Sequence, residues 1–292
     1  MRQATLKAIL KVHTNFMISI IISSYKPKLF AACISSIEQT IGVPYEMIQI
    51  ENPGLMSIAE AYNKGIAQAK NEILCFVHED VVFHTPDWGK RLEQALADKT
   101  IGLLGVAGSK LMGNAPGAWW DFGAVNYVQN IIQHKKGQIQ HNRTFSEGNG
   151  STIVEVAVID GVFMASRKSV QVMFNTDVPG FHAYDLSYSM ELQKRNLKVV
   201  VADGILLEHF SSGNIDPGWF YAMDHFYTNY CNSLPVAVQA DPQQSRYEEE
   251  AIKYYILNAP TKKLQRKYWR IFFRRKPFAK FNIAFLKTYI LG

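Results

Sequence analysis

Cysteine is scarce in this 292-residue chain: Cys33, Cys75 and Cys231 stand alone, without paired spacing. That excludes a disulfide framework and a cysteine zinc site and fits a reducing compartment, so the chain reads as cytoplasmic. Long apolar runs are lacking too. FMISIIISS at 16–24 is short and leads into Tyr25-Lys26-Pro27 instead of a small-residue cleavage site, so it reads as a strand and not a secretory leader. No stretch approaches the roughly 18 apolar residues that cross a bilayer. No G-x-G-x-x-G follows that first strand, which excludes a dinucleotide-binding dehydrogenase. Acid is missing altogether from residues 251–292, which carry eleven Lys and Arg, so the other 20 basic and 25 acidic residues leave a mildly acidic body. Such a body offers nucleic acid no basic groove, and no RNA or DNA motif is present.

What is there alternates between strand and helix patterns. MISIIISS (17–24) is a continuous β-branched run, and AACISSIEQTI (31–41) has helical spacing of its apolar residues. YEMIQIEN (45–52) predicts a second strand ending at Pro53-Gly54. SIAEAYNKGIAQAK (57–70) opens on a serine with Glu60 three positions on, the pattern of a capping box. EILCFVHED (72–80) predicts a third strand. Short connections and apolar strands predict an α/β fold with helices on both faces of a sheet.

In open parallel sheets, ligands bind beyond the carboxyl ends of the strands. That puts Ser23, Ser24 and Tyr25, then Glu51 and Asn52, then His78, Glu79 and Asp80 along one rim. Carboxylates there either hold a divalent cation with a phosphate on its far side or end a strand in solvent. Position alone leaves both readings open.

Residues 180–213, GFHAYDLSYSMELQKRNLKVVVADGILLEHFSSG, join a His- and aromatic-rich loop, an acid at Asp185, a helix from about Leu186 to Arg195, a strand and a terminal His209. With DGVFMA at 160–165 and HAYD at 182–185, the sequence resembles the family 2 glycosyltransferases, and within them a bacterial subgroup. The order of several weak motifs over residues 16–213 carries the resemblance. It implies a GT-A fold, a Rossmann-like mixed sheet flanked by helices. The nucleotide-binding half is expected at 16–110 and the acceptor half at 111–213, inside a domain of residues 1–230. A helical, basic, amphipathic extension is expected at 231–292. The resemblance further implies an inverting, Mn²⁺- or Mg²⁺-dependent transfer of a sugar from a nucleoside diphosphate, UDP foremost. The Gln-x-x-Arg-Trp motif of processive synthases is absent, so one transfer to a glycan or lipid-linked acceptor is implied, in capsule, O-antigen or lipopolysaccharide synthesis.

Residue by residue, the resemblance puts Ser23, Ser24, Tyr25 and Glu51 on the nucleoside and Asn63 near the nucleotide. His78-Glu79-Asp80 stands where the family has Asp-x-Asp. The first Asp has become His, so Asp80 is the metal ligand implied, while His78 and Glu79 are placed at the donor. His209 stands where related enzymes supply a metal-binding His. The family's Glu-Asp pair matches Tyr184-Asp185, which makes Asp185 the base, and a further family Asp is Ser187 here. These departures keep a rival open, an inactive nucleotide-sugar-binding protein of the same fold.

Each residue type suits its chemistry. A divalent cation stabilises charge on a departing diphosphate, and a carboxylate removes the acceptor hydroxyl's proton on the opposite face of the sugar. Each also has a plainer reading. Asp185 could cap a helix, His209 could be a packed core residue, Glu51 could close a strand, and Asp160-Gly161, implied to floor the pocket, could be only a tight turn. Trp119, Trp120 and His182 are candidates for stacking on acceptor or sugar. The polar stretch 134–151 reads as a mobile loop on the acceptor side. In residues 261–281, Lys262, Arg266, Arg270 and Arg274 recur every four positions, with Leu264, Tyr268, Ile271 and Phe272 on another side. A helix of that kind is expected to lie on an anionic membrane surface, the alternative being that it packs on the domain.

Overall fold

The computed structural model describes residues 18–135, 137–145, 152–211, 213 and 215–291. Met17 of the expected first strand and residues 146–151 of the expected loop lie outside the described residues. The first half runs β1 (Ile18–Ser24), α1 (Pro27–Thr40), β2 (Tyr45–Glu51), α2 (Ile58–Gln68), β3 (Ile73–His78), β4 (Val81–Phe83), α3 (Trp88–Leu96), β5 (Ile101–Gly105), β6 (Ala107–Ser109) and β7 (Leu111–Met112). The middle runs β8 (Tyr127–Lys135), β9 (Gln138–Arg143), β10 (Ile153–Val156), β11 (Val158–Ile159), β12 (Phe163–Arg167), α4 (Tyr184–Gln193), β13 (Lys198–Ala202) and β14 (Leu207–His209). It closes with α5 (Pro217–Tyr230), β15 (Val236–Ala237), α6 (Gln244–Asn258), α7 (Lys262–Arg275) and α8 (Lys280–Leu291).

The isoleucines of β1 are buried because the strand is internal, pairing in parallel with β2 on one side and β3 on the other. α1 begins at Pro27, ahead of the first apolar repeat, because proline's fixed φ suits a first helical turn. The capping box of α2 forms as expected: the Ser57 hydroxyl accepts from Glu60 N–H at 3.2 Å, and the Glu60 carboxylate accepts from Ser57 N–H at 2.7 Å. α2 lies so close to the sheet that a Cβ at Gly65 would sit 2.2 Å from Ile21 Cγ2.

Seven strands in the order β10-β13-β5-β12-β3-β1-β2 form the larger sheet, in which β12 runs antiparallel to β3 and β5. A six-stranded sheet, β11-β6-β8-β14-β4 with β9 on β8, stands beside it, and β7 pairs with β15. The chain steps from the larger sheet to the second after β3, through Glu79-Asp80, and again after β13. The stretch LKVVVADGILLEHF, expected as one strand, is therefore two, because Asp203-Gly204 turn the chain out of the first sheet. A half-buried ion pair of Arg143 with the buried Asp203, at 2.8 Å, braces that turn.

Two expectations change. Within 134–151, residues 138–143 are not a loop but strand β9, paired in register with β8 across a turn at Gly137, whose φ is 78°. The apolar side of the 261–281 helix is not presented outward: Leu264, Tyr268 and Phe272 are buried in the same cluster as Ile18 and Trp219. α6 and α7 are thus part of the body, with Tyr255 O–H donating to the Phe220 carbonyl at 2.7 Å and Tyr268 O–H to Asp224 at 2.8 Å.

Gly65→Ala is expected to force α2 off β1 and to lower unfolding stability by about 1–3 kcal/mol. A shift of the denaturant midpoint at constant slope checks it.

Candidate active site

The rim expected from strand ends exists. β1 and its neighbours finish in step, with Ser23 opposite His78 and Ser24 opposite Glu51. The two adjacent carboxylates beyond β3 then part company. Glu79 is 7% exposed, and its Oε2 accepts the N–H groups of Tyr25 at 3.0 Å and Lys26 at 2.9 Å. It anchors the turn into α1, where unpaired helix N–H groups favour an anion. Asp80 instead lines a cleft of about 560 Å³ together with His78, Asp160, Asp185 and His209.

Ser24 is buried and accepts from Gln49 at 2.8 Å, Ser23 accepts from Asn52 at 3.4 Å, and Glu51 and Tyr25 are exposed on the rim. Asn63 is not brought to the cleft wall. Both ends of its amide hold Phe174, through the Phe174 carbonyl and N–H at 2.9 Å each.

His78, Asp80 and His209 converge: one ligand atom from each lies within 4.8 Å of the others. His209 Nε2 is 3.4 Å and His78 Nδ1 3.9 Å from Asp80 Oδ1. The outer nitrogens are engaged. His209 Nδ1 lies 3.1 Å from Gln133 Oε1, which can only accept, so Nδ1 carries a proton and Nε2 is the nitrogen that faces Asp80. His78 Nε2 lies 2.7 Å from the Tyr184 hydroxyl, which leaves Nδ1 for the inner side. Imidazoles backed in this way fit a divalent cation. Burial, helped by the nearby His209, keeps His78 neutral against the pull of Asp80. Burial works to raise the Asp80 carboxyl, but the hydrogen bond with His209 and the electrostatic pull of the His78 and His209 rings outweigh it and hold the group at about 2. β14, which carries His209, is strapped to its neighbours by Glu208, 2.9 Å from His84 Nε2 and 2.6 Å from His134 Nε2.

Asp185 lies inside the first turn of α4, not at its cap. The cap position is Ala183, held at φ 58°, a left-handed backbone that a non-glycine residue adopts at a cost and that recurs at functional sites. Asp185 Oδ2 accepts Gly161 N–H and Oδ1 accepts Leu186 N–H, each at 2.9 Å. Burial first, and the Asp160 charge second, nonetheless push its carboxyl up to about 7. Gly161 has a further role: a Cβ there would sit 2.1 Å from the Tyr184 hydroxyl, so the missing side chain is what lets Tyr184 reach His78. Tyr184 is buried and its hydroxyl is held well above its ordinary range by burial, so it is a neutral phenol beside the imidazole.

The tryptophans divide. Trp119 is 8% exposed and donates its indole N–H to Asp160 Oδ2 at 2.9 Å, which makes it a support for that carboxylate. Trp120 is 40% exposed on the cleft, as a stacking surface requires. His182 also lines the cleft, 3.6 Å from Asp216, with burial lowering its pKa against the Asp216 charge. The facing wall is the β8–β9 hairpin, where Gln129, Gln133, Gln140 and Asn142 line the cleft. Sequence reading missed all four. Their signal was the alternation of a strand that a polar composition concealed.

Two imidazoles, a carboxylate between them and a second carboxyl raised by burial thus share one cleft of a mixed α/β fold. A glycosyltransferase-like family matches residues 19–251. The chain belongs to that family and is a glycosyltransferase, with a mixed α/β sheet flanked by helices. No curated protein matches the sequence significantly. Solved structures similar to it include GalNAc-T7 with UDP, GalNAc and Mn²⁺ at 9% identity and TM-score 0.49, covering 84% of this chain and 57% of that one. A197 from STIV is similar at 12% identity and TM-score 0.38, over 67% of this chain and 86% of that one.

Tyr184→Phe removes the outer partner of His78 and is expected to weaken Mn²⁺ binding about 10–100-fold. Titration of the protein with Mn²⁺, followed by paramagnetic resonance of the free ion, measures it.

Proposed function

We propose that this enzyme moves a sugar from a nucleoside diphosphate to an acceptor hydroxyl with inversion and in a single transfer. The observation that carries the reading is the convergence of His78, Asp80 and His209 in the cleft that Asp185 also lines. The three residues would hold the metal, and two imidazoles with one carboxylate suit Mn²⁺ better than Mg²⁺, which favours oxygen ligands. When bound, the ion stabilises negative charge building on the departing diphosphate.

The chain's own residues do the rest. Ser23, Ser24, Tyr25 and Glu51 provide the rim on which the nucleoside rests, with UDP the expected donor class. Asp185 takes the acceptor's proton as the acceptor oxygen bonds to the anomeric carbon and the bond from that carbon to the diphosphate breaks. Gly161 N–H and Leu186 N–H hold both carboxylate oxygens and so fix its direction. Trp120 and His182 flank the acceptor. The acceptor is a glycan, free or lipid-linked, in assembly of a capsule, O-antigen or lipopolysaccharide, and the enzyme is peripheral on the inner face of the plasma membrane. The acid-free basic C-terminal segment supports that placement, and among the described residues no helix is long and apolar enough to cross a membrane. The rival reading, an inactive nucleotide-sugar binder, is favoured by no geometry in the cleft.

Calorimetric titration with UDP, GDP and CDP, with and without Mn²⁺, on wild type and Asp80→Ala, tests the reading. One nucleotide is expected to bind tightly, and only with both Mn²⁺ and Asp80. Metal-independent binding, or none, would sink it. Asp185→Asn is expected to keep nucleotide affinity and lose about 10²–10⁴ in kcat. The wild-type carboxyl, raised to about 7, is protonated and idle below that pH and ionised above it. Thus kcat/KM should rise with pH and level off above about 7, in a profile measured at saturating Mn²⁺.

A further inference from the structure

We infer that the corner joining α7 to α8 is a bilayer-insertion point, at which Phe278 enters the headgroup region of an anionic membrane. The inference deepens the membrane placement proposed above and moves it away from the apolar stripe of α7. That stripe is unavailable, since Leu264, Tyr268 and Phe272 are buried against the body. α8 likewise turns Asn282 and Phe285 inward.

Among the described residues, what remains outside at the corner includes apolar side chains and cations. Phe278 is 98% exposed, on a short turn between two helices, and Ile283 at 61% and Phe273 at 41% stand near it in the chain. Around them the exposed residues include cations: Arg270 and Arg274 one helical turn apart on α7, and Lys280 and Lys287 on the side of α8 that also carries Ile283. No acid occurs anywhere in residues 251–292 to neutralise them from the same segment. An exposed aromatic ringed by Arg and Lys matches an anionic lipid surface, where the ring sits among acyl chains and the cations reach phosphates. A nucleic acid could stack a base on Phe278, but acids outnumber bases in the rest of the chain, which leaves no long basic track for its backbone.

The corner is also tied to the acceptor side. Arg275 donates to the Asn114 carbonyl at 2.6 Å and to the Asn114 side-chain oxygen at 3.0 Å, and Glu248 on α6 accepts Asn114 N–H at 3.0 Å. Asn114 opens the segment that leads to Trp119 and Trp120. A docked corner therefore holds the acceptor wall through one guanidinium, the arrangement needed for an acceptor presented by a lipid.

The test is co-sedimentation of the full chain with vesicles of phosphatidylcholine alone and of phosphatidylcholine mixed with phosphatidylglycerol, alongside nucleotide titration of the same samples. Wild type is expected to bind the mixed vesicles, with affinity falling as salt rises. Phe278→Ser should weaken that binding about tenfold, and Arg274→Glu with Lys280→Glu should remove it, while all variants keep their Mn²⁺-dependent nucleotide binding and so demonstrate folding. Equal binding to both vesicle types, no binding to either, or a Phe278→Ser protein that binds like wild type would overturn the inference. Vesicle binding lost by Phe278→Ser, in a wild type that binds no nucleotide, would uphold the corner and fail the transferase reading alone.

Discussion

The two-residue turn Glu79-Asp80 is the constraint from which the cleft is built. It carries the chain out of the larger sheet into the second sheet, and the two carboxylates use that change of direction in opposite ways. Glu79 stays with the first sheet and satisfies the backbone of Tyr25 and Lys26, which positions the rim after β1. Asp80 faces the second sheet: its carbonyl accepts Phe210 N–H at 3.0 Å and its carboxylate meets His209. One turn thus brings His78, from an end of one sheet, and His209, from an end of the other, to the same point. A slip of one residue there would exchange the anchor and the ligand.

Two aspartates in the cleft show how environment assigns work to one side-chain type. Asp80, between two imidazoles, is held at about 2 and is a permanent anion suited to a cation. Asp185, buried and next to Asp160, is pushed up to about 7, where a carboxylate is basic enough to take a proton. Two environments that drive like groups apart are a recurrent sign of divided roles in catalysis. The Asp160-Gly161 turn couples the two halves, because Gly161 gives its N–H to Asp185 and, by lacking a side chain, gives Tyr184 its path to His78.

The C-terminal helices show why amphipathicity does not choose a partner. The period of α7 requires that its apolar stripe be covered, and a membrane and a protein core satisfy that requirement equally well. Here the core covers it, through Tyr268, Phe272 and their contacts with α5 and α6. The basic side and the aromatic corner are then left facing solvent.

Local physics was legible in the sequence. The β-branched runs declared β1 to β3, Ser57 with Glu60 declared the start of α2, and strand ends in a parallel sheet declared one ligand rim, because each depends on neighbours a few residues apart. The order of several weak motifs over residues 16–213 was enough to expect the fold class and to name Asp80, Asp185 and His209 as candidates. Long-range packing was not legible. That Glu79 would anchor a turn, that Trp119 would support Asp160, that Asn63 would serve Phe174, and that residues 138–143 would pair as a strand all depend on contacts with distant parts of the chain. So does the role of His78. The sequence by itself determined which residues could bind a cation or take a proton, since that is a matter of functional groups. Only the tertiary structure decided which of them meet, because a ligand set and a base exist only when separate strands and helices bring their side chains within a few ångströms of one another.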